Sequence, residues 1–139
     1  MPAPDNLILL IEDSEDDVFF FKRALGQAKL NNPVQAVPDA AQASKYLEGS
    51  DPFADRAQFP LPKIIFLDLH LPSKDGFEFM KWLASKPQFR TVHLVVMSGV
   101  GRLEEVNRAY QMGANSFVTK PIKAEDLQNL ARGFSAYWA

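Results

Sequence analysis

Five short apolar runs, each stopped by polar residues, alternate along the chain with segments of helical periodicity. The first, Leu7-Ile8-Leu9-Leu10-Ile11, halts at Glu12-Asp13-Ser14 and reads as a strand buried on both faces. Ser14 with Asp17 three residues later resembles a capping box, and Phe20, Phe21, Ala24, Leu25 and Ala28 follow at helical spacing. Phe19 falls opposite that stripe and is expected to face solvent. Val34 to Val37 predicts a second strand, Ala40 to Leu47 a short helix, and Gly49 to Pro62 a turn-rich loop. Ile64 to Leu67 ends at Asp68 and Leu94 to Met97 ends at Ser98, each followed by helical sequence. Leu103 to Met112 predicts a helix stopped by Gly113, Ser116 to Thr119 a fifth strand, and Ala124 to Trp138 a closing helix.

Strands alternating with helices imply a parallel sheet covered on both faces, because each parallel crossover needs a long right-handed connection. The fold class is α/β, and five units suit the doubly wound, flavodoxin-like strand order 2-1-3-4-5 with five helices. In that arrangement ligands bind outside the carboxyl ends of the strands, at the switch point between strands one and three.

Composition narrows the function. The 139 residues fit one domain, and 15 Lys plus Arg against 17 Asp plus Glu leave a net charge of -2. That balance lacks the basic surplus of a general nucleic-acid binder. With no cysteine, disulfides, thiolate catalysis and cysteine metal sites are excluded. No apolar run reaches membrane-spanning length and no signal-peptide pattern opens the chain, so a cytoplasmic, soluble protein without membrane association is expected.

The residues just past the apolar runs carry the chemistry: Glu12 and Asp13, Asp68, Ser98, and Lys120 after strand five. Carboxylates gathered this closely repel and call for a cation. A hard ion such as Mg²⁺, with Mn²⁺ as a substitute, takes such oxygen ligands. Lys120 and Ser98 would supply the donors that steady phosphoryl oxygens, leaving one carboxylate as nucleophile. Singly, each residue has a plainer reading, as a helix start, a loop residue or a solvated lysine. Their joint placement at strand ends favours a site.

These residues resemble the receiver family of response regulators: Glu12-Asp13, Asp68-Leu69-His70-Leu71-Pro72 continuing to Asp75-Gly76, Ser98, and Lys120-Pro121. The resemblance covers nearly the whole chain and implies a single CheY-like receiver domain over residues 1–139 without an output domain. It implies Asp68 as phosphoacceptor, Glu12 and Asp13 as Mg²⁺ acids and the His70 main-chain carbonyl as a further ligand. Ser98 would then bind a phosphoryl oxygen, Lys120 would pair with the acyl phosphate, Phe117 would sit at the aromatic switch position, and Lys120-Pro121 would be cis. A permanent core role for Phe117 remains open at this point.

The helix carrying Phe19 borders the kinase-docking surface in this family. The aromatic tail with Phe134, Tyr137 and Trp138, together with the Pro-rich loop, looks most like the small regulators paired with bacterial phytochromes. That closer likeness implies a phytochrome sensor histidine kinase as phosphodonor and a homodimer through the fourth and fifth strand-helix units. Competing readings are a haloacid-dehalogenase-type phosphatase, disfavoured because His70 stands where a second acid is needed, and a nucleotide or flavin binder, disfavoured by the missing Gly-rich loop. A receiver serving purely as a binding module is the remaining alternative.

Overall fold

A computed structural model describes residues 6–71, 76–99, 101–134 and 138. Five strands alternate with helices: β1 (Ile8–Ile11), α1 (Glu15–Gln27), β2 (Val34–Val37), α2 (Ala40–Glu48), β3 (Ile64–Asp68), α3 (Gly76–Ala84), β4 (His93–Ser98), α4 (Leu103–Gln111), β5 (Ser116–Thr119) and α5 (Ala124–Gly133). A 3₁₀ turn, Pro87–Phe89, precedes β4. The strands form one parallel sheet in the order β2-β1-β3-β4-β5, as the alternating pattern implies.

Alternation along the strands sends side chains to two separate cores. Leu9, Ile11, Ile65, Leu67, Leu94 and Val96 pack with residues of α2, α3 and α4, among them Tyr46, Phe79, Met80 and Ala109. Ile8, Leu10, Ile64, Phe66, Val95 and Met97 pack with Phe21, Ala24 and Leu25 of α1 and with Leu127 and Leu130 of α5. Burial on both faces explains why β1, β3 and β4 read as unbroken apolar runs.

The loop before β3 is pinned by polar contacts. Arg56 donates from its guanidinium to the carbonyls of Tyr46, Leu47 and Phe59, and the Tyr46 hydroxyl donates to the Pro60 carbonyl at 2.7 Å. Phe53 and Phe59 close around the Tyr46 ring, with centroids 5.1 and 6.1 Å from it. Asp51-Pro52 in this loop and Lys120-Pro121 are cis, the latter as the receiver resemblance implies.

Three expectations need correction. Phe20 is 51% exposed rather than part of the buried stripe, because it sits on the flank of the face formed by Phe21, Ala24, Leu25 and Ala28. Helix α5 stops at Gly133, not Trp138: Phe134 caps it in a non-helical conformation, and its ring packs at a 52° tilt against buried His93, with centroids 4.1 Å apart. The capping box at Ser14 is only half made. Ser14 Oγ accepts from the Asp17 amide at 3.2 Å, but the Ser14 amide donates to Glu12 and the Asp17 carboxylate turns elsewhere.

Candidate phosphoacceptor site

Register gathers the polar strand ends. Ile11 pairs with Leu67, so Glu12 and Asp13 emerge beside Asp68; Asp68 pairs with Met97, and Ser98 with Thr119, so Ser98 and Lys120 complete the same edge. Glu12, Asp68 and Ser98 are buried, whereas Asp13 is exposed. Carboxylate oxygens of Glu12, Asp13 and Asp68 lie within 4.8 Å of one another.

Lys120 reaches into this cluster and all three of its N–H donors are engaged. It donates to Glu12 Oε1, to Asp17 Oδ2 at 3.0 Å and to Asp68 Oδ2 at 3.1 Å. The other Asp68 oxygen accepts from the His70 amide at 3.0 Å, which fixes the carboxylate's plane. Burial pushes the Glu12 carboxyl up to about 7, assisted by the Asp68 charge and opposed by Lys120. For Lys120, burial works against the ammonium, yet hydrogen bonds to Glu12, Asp17 and Asp68 outweigh it and hold the group charged well above its usual range.

This donor set suits a hard divalent cation. It is all oxygen, carries more negative charge than one lysine offsets, and includes an exposed member, Asp13, through which hydrated ions can approach.

The remaining sequence-predicted residues fall as follows. Phe117 of β5 is half-buried against the core that includes Ala109 of α4. Phe19 is 61% exposed, as its position opposite the stripe implies. Trp138 is half-buried, its ring edge-on to Phe66 with centroids 6.1 Å apart, while Tyr137 and Asp75 lie outside the described residues. Local sequence pattern gives no sign of two contacts at this edge: the Asp17 carboxylate reaches Lys120, and the His70 ring meets Glu105 of α4 at 3.1 Å. His93 starts β4, at the opposite end of that strand from Ser98, and is buried beneath Phe134.

Residues 8–132 match the response regulator receiver domain. The chain belongs to that family. As a receiver domain it is the phosphoaccepting component of two-component signalling, and its relatives include phytochrome response regulators. The response regulator Rcp1 of Synechocystis is 27% identical over 135 residues, spanning 97% of this chain and 90% of Rcp1. The crystal structure of its Mn²⁺-bound form superposes with a TM-score of 0.75 at 26% identity, covering 95% and 93% of the two chains. The bacteriophytochrome response regulator RtBRR gives a TM-score of 0.84 at 32% identity, covering 98% of this chain and 81% of RtBRR. AtBRR, described in the same terms, gives 0.83 at 26%, covering 99% and 97%. Among the described residues no helix is long and apolar enough to cross a membrane.

Proposed function

We propose that the receiver takes a phosphoryl group onto Asp68 from a phytochrome-type sensor histidine kinase in the cytoplasm. The observation that carries this reading is the convergence of Glu12, Asp13 and Asp68 with Lys120 inserted among them. An Asp68 carboxylate oxygen attacks the phosphorus of the kinase's phosphohistidine; the new O–P bond forms as the P–N bond breaks and the imidazole leaves. Lys120 donates N–H groups to the oxygens gaining charge, and the Ser98 hydroxyl steadies another. Glu12, Asp13, Asp68 and the His70 carbonyl would hold Mg²⁺ or Mn²⁺, which supplies charge neutralisation around the phosphoryl oxygens. Hydrolysis of the acyl phosphate later returns Asp68 to its carboxylate, so the chain turns over no external metabolite.

Readout follows from repacking: Ser98 moves toward the phosphoryl group and Phe117 turns into the space beside α4. Leu103, 73% exposed, and Tyr110 mark α4 as a face able to join a second copy through the fourth and fifth strand-helix units. The phytochrome assignment draws support from RtBRR and AtBRR, whose names tie them to bacteriophytochromes, and the metal from Mn²⁺-bound Rcp1. Exposed Phe19 on α1 and Phe134 at the end of α5 are the aromatic surfaces offered to partners. Incubation with an autophosphorylated, radiolabelled bacterial phytochrome kinase tests the reading. Label should pass to the wild type and not to Asp68→Asn; transfer to the variant, or transfer only from unrelated kinases, would count against it.

A further inference from the structure

Helix α4 is the most lightly anchored of the five helices. Among its described residues it buries Ala109 alone, against two to five buried residues in each of the others, and no side chain caps its N-terminus. A cavity of about 570 Å³ opens between α4 and the loop after β3, with Leu69, Leu71 and Phe77 on one side and Glu104, Glu105 and Arg108 on the other. Two side-chain contacts bridge that gap. The His70 ring meets Glu105 in the first turn of α4 at 3.1 Å, and the Arg108 guanidinium lies 3.9 Å from the centre of the Phe77 ring.

Stability does not account for the Glu105 contact. The His70 side chain is 56% exposed, and an ion pair or hydrogen bond so open to water contributes little. Glu105 meanwhile keeps its second oxygen, Oε1, shut away from water with no hydrogen-bond partner. Turned outward, like exposed Glu104 beside it, the same carboxylate would be hydrated and would still favour the helix N-terminus. What the inward orientation gains is a hold on His70, whose main chain belongs to the phosphoacceptor site: its amide donates to Asp68 Oδ1 at 3.0 Å.

We propose that Glu105 is a positioning residue: by holding the His70 ring it ties the Asp68 carboxylate to the first turn of α4, so that α4 reads phosphorylation through His70. The inference rests on the phosphoacceptor reading of Asp68. Once that carboxylate becomes an acyl phosphate, Oδ1 is either an uncharged carbonyl oxygen or the oxygen bonded to phosphorus. In both cases the His70 amide loses the charged acceptor it now holds, and the loop readjusts. The ring of the same residue carries that change across the cavity to α4, by a route separate from Ser98 and Phe117.

The test is hydrogen–deuterium exchange of peptides covering α4, with and without excess acetyl phosphate and Mg²⁺, for wild type, Glu105→Ala and Glu104→Ala. Intact mass reads the phosphoryl occupancy of each sample. Glu104→Ala makes the same change of charge and helix propensity at a side chain that faces solvent. Phosphorylation should change α4 exchange by the same factor in wild type and Glu104→Ala, and by under about half as much, on a logarithmic scale, in Glu105→Ala. In the resting protein, Glu105→Ala and His70→Ala should each raise α4 exchange about two- to fivefold, the factor for one half-exposed ion pair or hydrogen bond, and the double variant no more than either alone. A merely structural role for Glu105 would raise exchange in both forms alike and leave the difference between them intact. That result overturns the inference while leaving the phosphoacceptor reading standing, as does α4 exchange in wild type that phosphorylation leaves unchanged. A wild type that gains no phosphoryl mass removes the phosphoacceptor reading and the inference with it.

Discussion

At the proposed metal site, binding of the ion and release of a proton are linked through Glu12. With only protein groups around it, the carboxyl titrates near 7, chiefly because burial disfavours its charge. A divalent ion takes the carboxylate and not the acid, so binding must expel whatever proton is there. With a value of about 7, binding should release about 0.5 proton at pH 7, about 0.9 at pH 6 and about 0.1 at pH 8. The same titration makes Mg²⁺ affinity about tenfold weaker at pH 6 than at pH 8. Calorimetric titration of chelator-treated protein with Mg²⁺, in two buffers of different ionisation enthalpy at each pH, measures the released protons directly. Release below about 0.2 proton at pH 6 would refute the reasoning, as would equal release from Glu12→Gln. Folding stability carries the complementary sign. The folded carboxyl binds its proton more tightly than the unfolded value of 4.5 allows, so this contribution is complete below 4.5 and disappears as pH rises through about 7.

Other consequences can be checked separately. Burial holds the His93 imidazole below its usual 6.5, so its contribution to stability is complete above 6.5 and is lost as pH falls below that value. Thermal melts at pH 7.5 and 5.5 should show a larger acid loss in wild type than in His93→Leu; equal losses would contradict this. Arg56→Ala removes the donor shared by the Tyr46, Leu47 and Phe59 carbonyls and should cost about 1.5–3 kcal/mol in urea unfolding, and a change under about 0.5 would rule out the pinning role. Gly76→Ala would place a Cβ 2.7 Å from the Leu69 carbonyl oxygen and 2.8 Å from Leu69 Cα, backbone that is anchored beside Asp68. It should cost about 1–3 kcal/mol and slow labelling of Asp68; an unmoved urea midpoint would show that the loop relaxes freely.

The site was legible where chemistry and topology coincide. Glu12, Asp68, Ser98 and Lys120 each interrupt or follow an apolar run, and parallel register then carries every run to the same edge. What escaped the sequence depends on distant packing. The Asp17–Lys120 contact spans 103 residues, and a local pattern assigns Asp17 to helix capping instead. Apolar character continues beyond Gly133, which suggests a longer helix, yet the end of α5 is set by Phe134 folding onto His93, whose burial nothing nearby signals. Phe20 and Phe21 are alike in sequence, and only the direction of α1 against the sheet separates flank from core. Arg56 reads as a loop charge until the loop closes over the end of α2.

The most direct test of the central claim is intact mass of the protein after incubation with acetyl phosphate, with Mg²⁺ or with chelator, beside Asp68→Ala. The account predicts a gain of one phosphoryl group that requires the metal and is absent from the variant. A wild type that stays unlabelled under conditions that label a control receiver, or an Asp68→Ala protein that gains the same mass, would contradict it.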